Sequence, residues 1–113
     1  MDLEDPQFTH VEIEHRRYRR VKLVIQVDCE VLERTEVAVT RDLSAGGMFI
    51  NARHPVPVDT DLSLTFRLYP TEPAIKCRAK VMFSRVGLGM GVQFLDLSAE
   101  TRQMLQKFVD EVG

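Results

Sequence analysis

The chain has 113 residues, of which 44% are apolar and 28% charged. That length and composition suit one domain with a self-supporting core, and they exclude a two-domain enzyme and a disordered tail. A net charge of −2 provides no global basic field for holding a long nucleic-acid polymer.

Residues 1–14 mix acids, Pro6 and isolated hydrophobes without sustained periodicity, and read as a mobile lead-in. The acidic start lacks the positive n-region and apolar h-region of a secretory signal. No run approaches the roughly 18 apolar residues a membrane helix needs, so a cytoplasmic protein without direct membrane insertion is expected. From Val21 the pattern sharpens: Val21, Leu23, Ile25, Val27, Cys29 and Val31 are apolar at every second position, the period of a half-buried strand. A break at Leu32–Thr35 and renewed alternation at Val37 and Val39 predict a hairpin whose second strand ends at Asp42. Met48-Phe49-Ile50 predicts a short third strand, stopped by His54-Pro55-Val56-Pro57 because proline donates no ladder hydrogen bond. Leu62, Leu64, Phe66 and Leu68 alternate as a fourth strand, and Ile75, Cys77, Ala79, Val81 and Phe83 as a fifth with a basic outer face. Met90 to Leu95 makes a sixth, with Gly91 permitting a bend or a close backbone approach. Ser98 is a good N-cap for an amphipathic helix to residue 112, with Met104, Leu105, Phe108, Val109 and Val112 at helical spacing. Six short antiparallel strands favour a barrel or closed sandwich, with the helix over one opening or flank.

Cys29 and Cys77 have neither CxxC nor Cys/His spacing, which predicts reduced core thiols rather than a metal site or disulfide. His10, His15 and His54 read as surface histidines; His15, beside Arg16, could at most touch a ligand. No nucleophile, base and orienting group fall together: Ser44 sits in SAGG, not GxSxG, and no strand-to-helix elbow follows it. Neither catalysis nor a cofactor is expected.

Two stretches on either side of the first hairpin remain. His15 to Lys22 carries five positives and no acid, including Arg16-Arg17-Tyr18-Arg19-Arg20. Arginine's planar fork pairs with phosphate, grips the O6/N7 edge of guanine and stacks on π faces, although such a run can also be a solvated basic patch. The second stretch is Asp42-Leu43-Ser44-Ala45-Gly46-Gly47. Asp42 can accept from the N1 and N2 donors of guanine, Ser44 can donate to phosphate and Gly47 allows close backbone approach; the same residues can also simply form an Asx-type turn.

In order and with a hairpin between them, these stretches resemble the two motifs of the PilZ family, bacterial receptors for cyclic di-GMP. RxxxR is matched by Arg16 and Arg20, with Arg17 as an additional basic residue, and [D/N]xSxxG by Asp42, Ser44 and Gly47. Gly89-Met90-Gly91-Val92-Gln93-Phe94 is similar to the family's last strand, so the resemblance covers about residues 15–113. It implies a six-stranded antiparallel β-barrel with a C-terminal helix. It also implies cyclic di-GMP, one molecule or a stacked pair, bound by Arg16, Arg17, Arg20, Asp42, Ser44 and Gly47. Ordering of the arginine segment would then signal to a downstream effector protein. The alternative is a PilZ-like protein–protein interaction module that binds no nucleotide. An OB-like single-strand binder is less well supported, because there is no Trp and Phe49, Phe66, Phe83, Phe94 and Phe108 fall on apolar phases where core packing is expected.

Overall fold

A computed structural model describes residues 18–113. The lead-in, His10, His15, Arg16 and Arg17 lie outside the described residues. Seven strands and one helix follow in order: β1 (Val21–Lys22), β2 (Gln26–Val31), β3 (Arg34–Leu43), β4 (Gly47–Asn51), β5 (Asp61–Phe66), β6 (Ile75–Arg85), β7 (Gly89–Phe94) and α1 (Ala99–Val112). Six of the strands close a ring, β3-β2-β5-β6-β7-β4 and back to β3, with every pairing antiparallel. This is the expected six-stranded barrel; β1 is a two-residue addition paired to the end of β3.

Alternation decides which side chains enter the barrel. Val27 and Cys29 on β2, Leu62, Leu64 and Phe66 on β5, Cys77, Ala79 and Val81 on β6 and Met90, Val92 and Phe94 on β7 share one core with Leu105 and Phe108 of α1. Phe66 and Phe94 stack at 5.9 Å between centroids. The helix is capped as its sequence suggests: the Ser98 hydroxyl accepts from the Thr101 N–H at 3.0 Å, and the Gly113 N–H closes on the Val109 carbonyl. Val109 is fully buried and Val112 half exposed. Cys29 and Cys77 both pair with Leu64 on the strand between them and are free buried thiols. Burial pushes both up to about 12, helped by Glu36 and Asp28 at Cys29 and by Asp96 at Cys77, so neither is an ionised nucleophile near neutral pH.

The first strand departs from expectation. The alternation from Val21 to Val31 continues in phase, but ladder pairing stops at Lys22 and resumes at Gln26. Three residues, 23–25, face two, Thr40 and Arg41, and Val24, on the outward phase, is 72% exposed. Buried Thr40 repairs the gap: its hydroxyl donates to the Leu23 carbonyl at 2.6 Å and accepts from the Ile25 N–H at 3.1 Å. Thr40→Val keeps the shape and strands both backbone groups, so it is expected to lower stability by about 1–3 kcal/mol in denaturant titration. A loss below about 0.5 kcal/mol would show that these groups find other partners.

Candidate functional site

The turn from β3 to β4 carries the second motif. Ser44 is 1% exposed, and its Oγ accepts from the N–H groups of Gly46 and Gly47, each at 3.1 Å. The Ser44 N–H donates to the Gly47 carbonyl at 2.9 Å, so the residue ties the turn together from within. Gly46 receives the Phe94 N–H on its carbonyl at 2.9 Å, and the Ala45 carbonyl receives Arg102 Nη1 at 2.9 Å, pinning the turn to β7 and α1. A Cβ on Gly47 would collide with the Val92 carbonyl, which makes this glycine a requirement of the β4–β7 approach. The turn is thus tied by the Ser44 hydroxyl and not by an Asx-type contact from Asp42, whose carboxylate faces Arg20.

The arginine stretch reaches this turn from outside. The Tyr18 ring lies against Gly46, where an added Cβ would come within 2.6 Å of it, and Arg102 stands 5.3 Å over the same ring. Arg19 turns the other way, toward Asp110 of α1 at 3.8 Å. Arg20 Nη2 donates to Asp42 Oδ1, with the two side chains 19% and 22% exposed. The first and second motifs therefore meet in a charge-assisted contact, the strongest of the ordinary hydrogen-bond types.

That ion pair stands at a cleft of about 230 Å³ on the outer surface of β3, β4, β6 and β7. Arg20, Arg41, Asp42 and Gln93 supply polar walls; Phe49, Met82, Phe83 and Leu88 supply apolar ones. Phe49 and Phe83 are each directly opposite Gly91, on its two neighbouring strands, and their rings lie 6.1 Å apart at 41°. A Cβ on Gly91 would rest 3.6 Å from Phe49 and 3.7 Å from Phe83, an ordinary contact, so the missing side chain leaves the space between the rings open.

The expectation that all five phenylalanines pack in the core is corrected here. Phe66, Phe94 and Phe108 do; Phe49 is buried at 8% exposure but lies outside that cluster, and with the half-buried Phe83 it forms the cleft floor. The reason at Phe83 is a register shift between Val81 and Phe83, which makes Met82 an extra residue and turns the strand's phase outward. A second shift, between Thr40 and Asp42, makes Arg41 an extra residue on β3 and brings it to the cleft beside Asp42. Strict alternation from Ile75 to Phe83 hid the first bulge. The available signal was Gly91, since a glycine inside a strand marks a close approach or an open floor.

Among the described residues, no group of three or more His, Cys, Asp and Glu side chains could hold a metal ion. No described helix is long and apolar enough to cross a membrane. A family model described as the PilZ domain matches residues 14–111. No curated protein matches the chain. Among solved structures, the Bacillus subtilis inhibitor of motility MotI/DgrA is similar at a TM-score of 0.72 and 21% identity over 86% of this chain. Escherichia coli YcgR, in complex with c-di-GMP, gives 0.72 and 17% over 86%. Borreliella burgdorferi PlzA, also in complex with c-di-GMP, gives 0.58 and 15% over 87%. The chain spans 50%, 45% and 37% of these three proteins, respectively, so the likeness is one of fold within larger molecules.

Proposed function

The chain belongs to the PilZ domain family, and from that premise we propose that it is a cytoplasmic receptor for cyclic di-GMP, not an enzyme, with its ligand in the cleft of Arg20, Asp42, Phe49 and Phe83. The observation that carries this reading is the meeting of Arg20 and Asp42 over a floor of two phenyl rings. A guanine offers N1–H and N2–H donors to a carboxylate, O6 and N7 acceptors to a guanidinium, and a flat face to an aromatic floor. The ligand can thus bridge the Arg20–Asp42 pair, replacing one charge-assisted contact by two, while its base lies against the aromatic floor beside Arg41. Arg16 and Arg17 add cations for the phosphates. Ser44 and Gly47 act through the turn that holds Asp42 in place. Two of the similar proteins were captured with this ligand, which supports the assignment. Ordering of the N-terminal arginine segment on one ligand or a stacked pair is the proposed signal to an effector protein.

Calorimetric titration of cyclic di-GMP tests this, with GTP and cyclic di-AMP as controls and Arg16→Ala/Arg20→Ala and Gly91→Val as variants. Wild type is expected to bind cyclic di-GMP selectively, and a ratio near two per chain would identify the stacked pair. Gly91→Val fills the floor between the rings without a backbone clash, so binding is expected to fall at least tenfold while the melting temperature stays within about 3 °C. Absence of binding by wild type would leave the interaction-module reading in its place.

A further inference from the structure

The geometry points to Arg41, a residue outside both motif positions, as the guanidinium that selects guanine in this cleft; this inference rests on the receptor reading above. Three observations carry it. First, Arg41 is the extra residue where β3 slips against β4, and it faces the gap between β1 and β2 on the other side. That irregularity lets it and its neighbour Asp42 line the same cleft, which a regular strand forbids.

Second, its guanidinium lies 3.9 Å over the Phe49 ring. Such a cation–π contact holds the head group at the floor while its N–H donors remain available for hydrogen bonds. Third, those donors are uncommitted. Arg19 pairs with Asp110, Arg20 with Asp42 and Arg78 with Asp61, and Arg102 and Arg67 donate to carbonyls. Among the described residues Arg41 makes no ion pair and no side-chain hydrogen bond. The charge of Arg20 is offset by Asp42, so the positive charge that the described residues bring to the cleft comes from Arg41.

An unpaired planar fork held over an aromatic floor suits two adjacent acceptors in one plane. Guanine presents O6 and N7 in that arrangement; adenine presents N7 beside an N6 amino group that is itself a donor. Arg41 therefore accepts one purine and repels the other, and a lysine, which carries the charge without the fork, cannot replace it.

The test measures cyclic di-GMP and cyclic di-AMP binding to wild type, Arg41→Met and Arg41→Lys. Methionine keeps an apolar cover on Phe49, and lysine keeps the charge. Both variants are expected to lose at least tenfold in cyclic di-GMP affinity and at least tenfold in preference over cyclic di-AMP, with unchanged melting temperatures. An unchanged preference in Arg41→Met overturns the inference and leaves the receptor reading intact. Equal loss for both nucleotides with full rescue by lysine also overturns it, since Arg41 would then act only as a charge. A wild type that binds neither nucleotide removes the receptor reading and this inference with it.

Discussion

Replacing Asp42 by alanine is expected to weaken cyclic di-GMP binding by roughly 30-fold to several thousand-fold, the range that corresponds to about 2–5 kcal/mol for truncating one member of a desolvated charge pair. The direction is informative because two effects oppose each other. Removing the carboxylate takes a negative charge from the cleft and frees Arg20, which by Coulomb attraction alone would favour an anionic ligand. It also deletes the acceptor for the guanine N1 and N2 donors, leaving them unpaired in a site walled by Phe49 and Phe83. Loss of affinity shows that the direct hydrogen bonds dominate. Affinity equal to or above wild type in the same titration would show that Asp42 serves only as the counter-ion of Arg20, and would remove it from the ligand site. Asp42→Asn keeps one acceptor oxygen and should fall between the two.

Gly47→Ala is expected to lower stability by about 3 kcal/mol or more, at the upper end of overpacking effects, because the obstacle is the Val92 carbonyl and not a flexible side-chain tip. For a domain of this size that corresponds to a fall in melting temperature of roughly 10–20 °C. Ser44→Ala removes the acceptor of two turn N–H groups and should cost about 1–3 kcal/mol, with binding falling as the turn loosens. On the proposed reading the motif divides into a residue that meets ligand, Asp42, and residues that shape the turn, Ser44 and Gly47. Thermal melts of the three variants without ligand check the division: a Gly47→Ala melting temperature within about 2 °C of wild type would show that β4 and β7 can separate without penalty.

The barrel was legible because most of its strands keep one apolar face. Val27, Cys29, Leu64, Cys77 and Val92 all lie where alternation put them. The terminal helix was legible from Ser98 and from the spacing of Leu105, Phe108 and Val109. The meeting of Arg20 with Asp42 was implicit in two motifs flanking one hairpin. What alternation concealed were the places where one residue is added to a strand. At Met82 the added residue turned Phe83 from core to surface, at Arg41 it brought a second arginine to the site, and between Lys22 and Gln26 it split a strand that the sequence presents as continuous. A bulge leaves the composition of a strand unchanged and alters only its pairing partner, so it is written in the register of two strands together and not in either alone.

Closure of the ring by the β3–β4 pairing also limits how another protein can recognise this domain. Each of the six barrel strands has a neighbour on both sides, and among the described residues the additional edge is the two-residue β1. A partner that works by adding its own strand finds, among the described residues, only short unpaired stretches such as residues 34–38 of β3, where the β3–β4 ladder has not begun. Most of the outer surface therefore offers side-chain relief and charge, where individual substitutions can be made without breaking the ladder. The same closure shortens the template on which crowded copies could stack edge to edge.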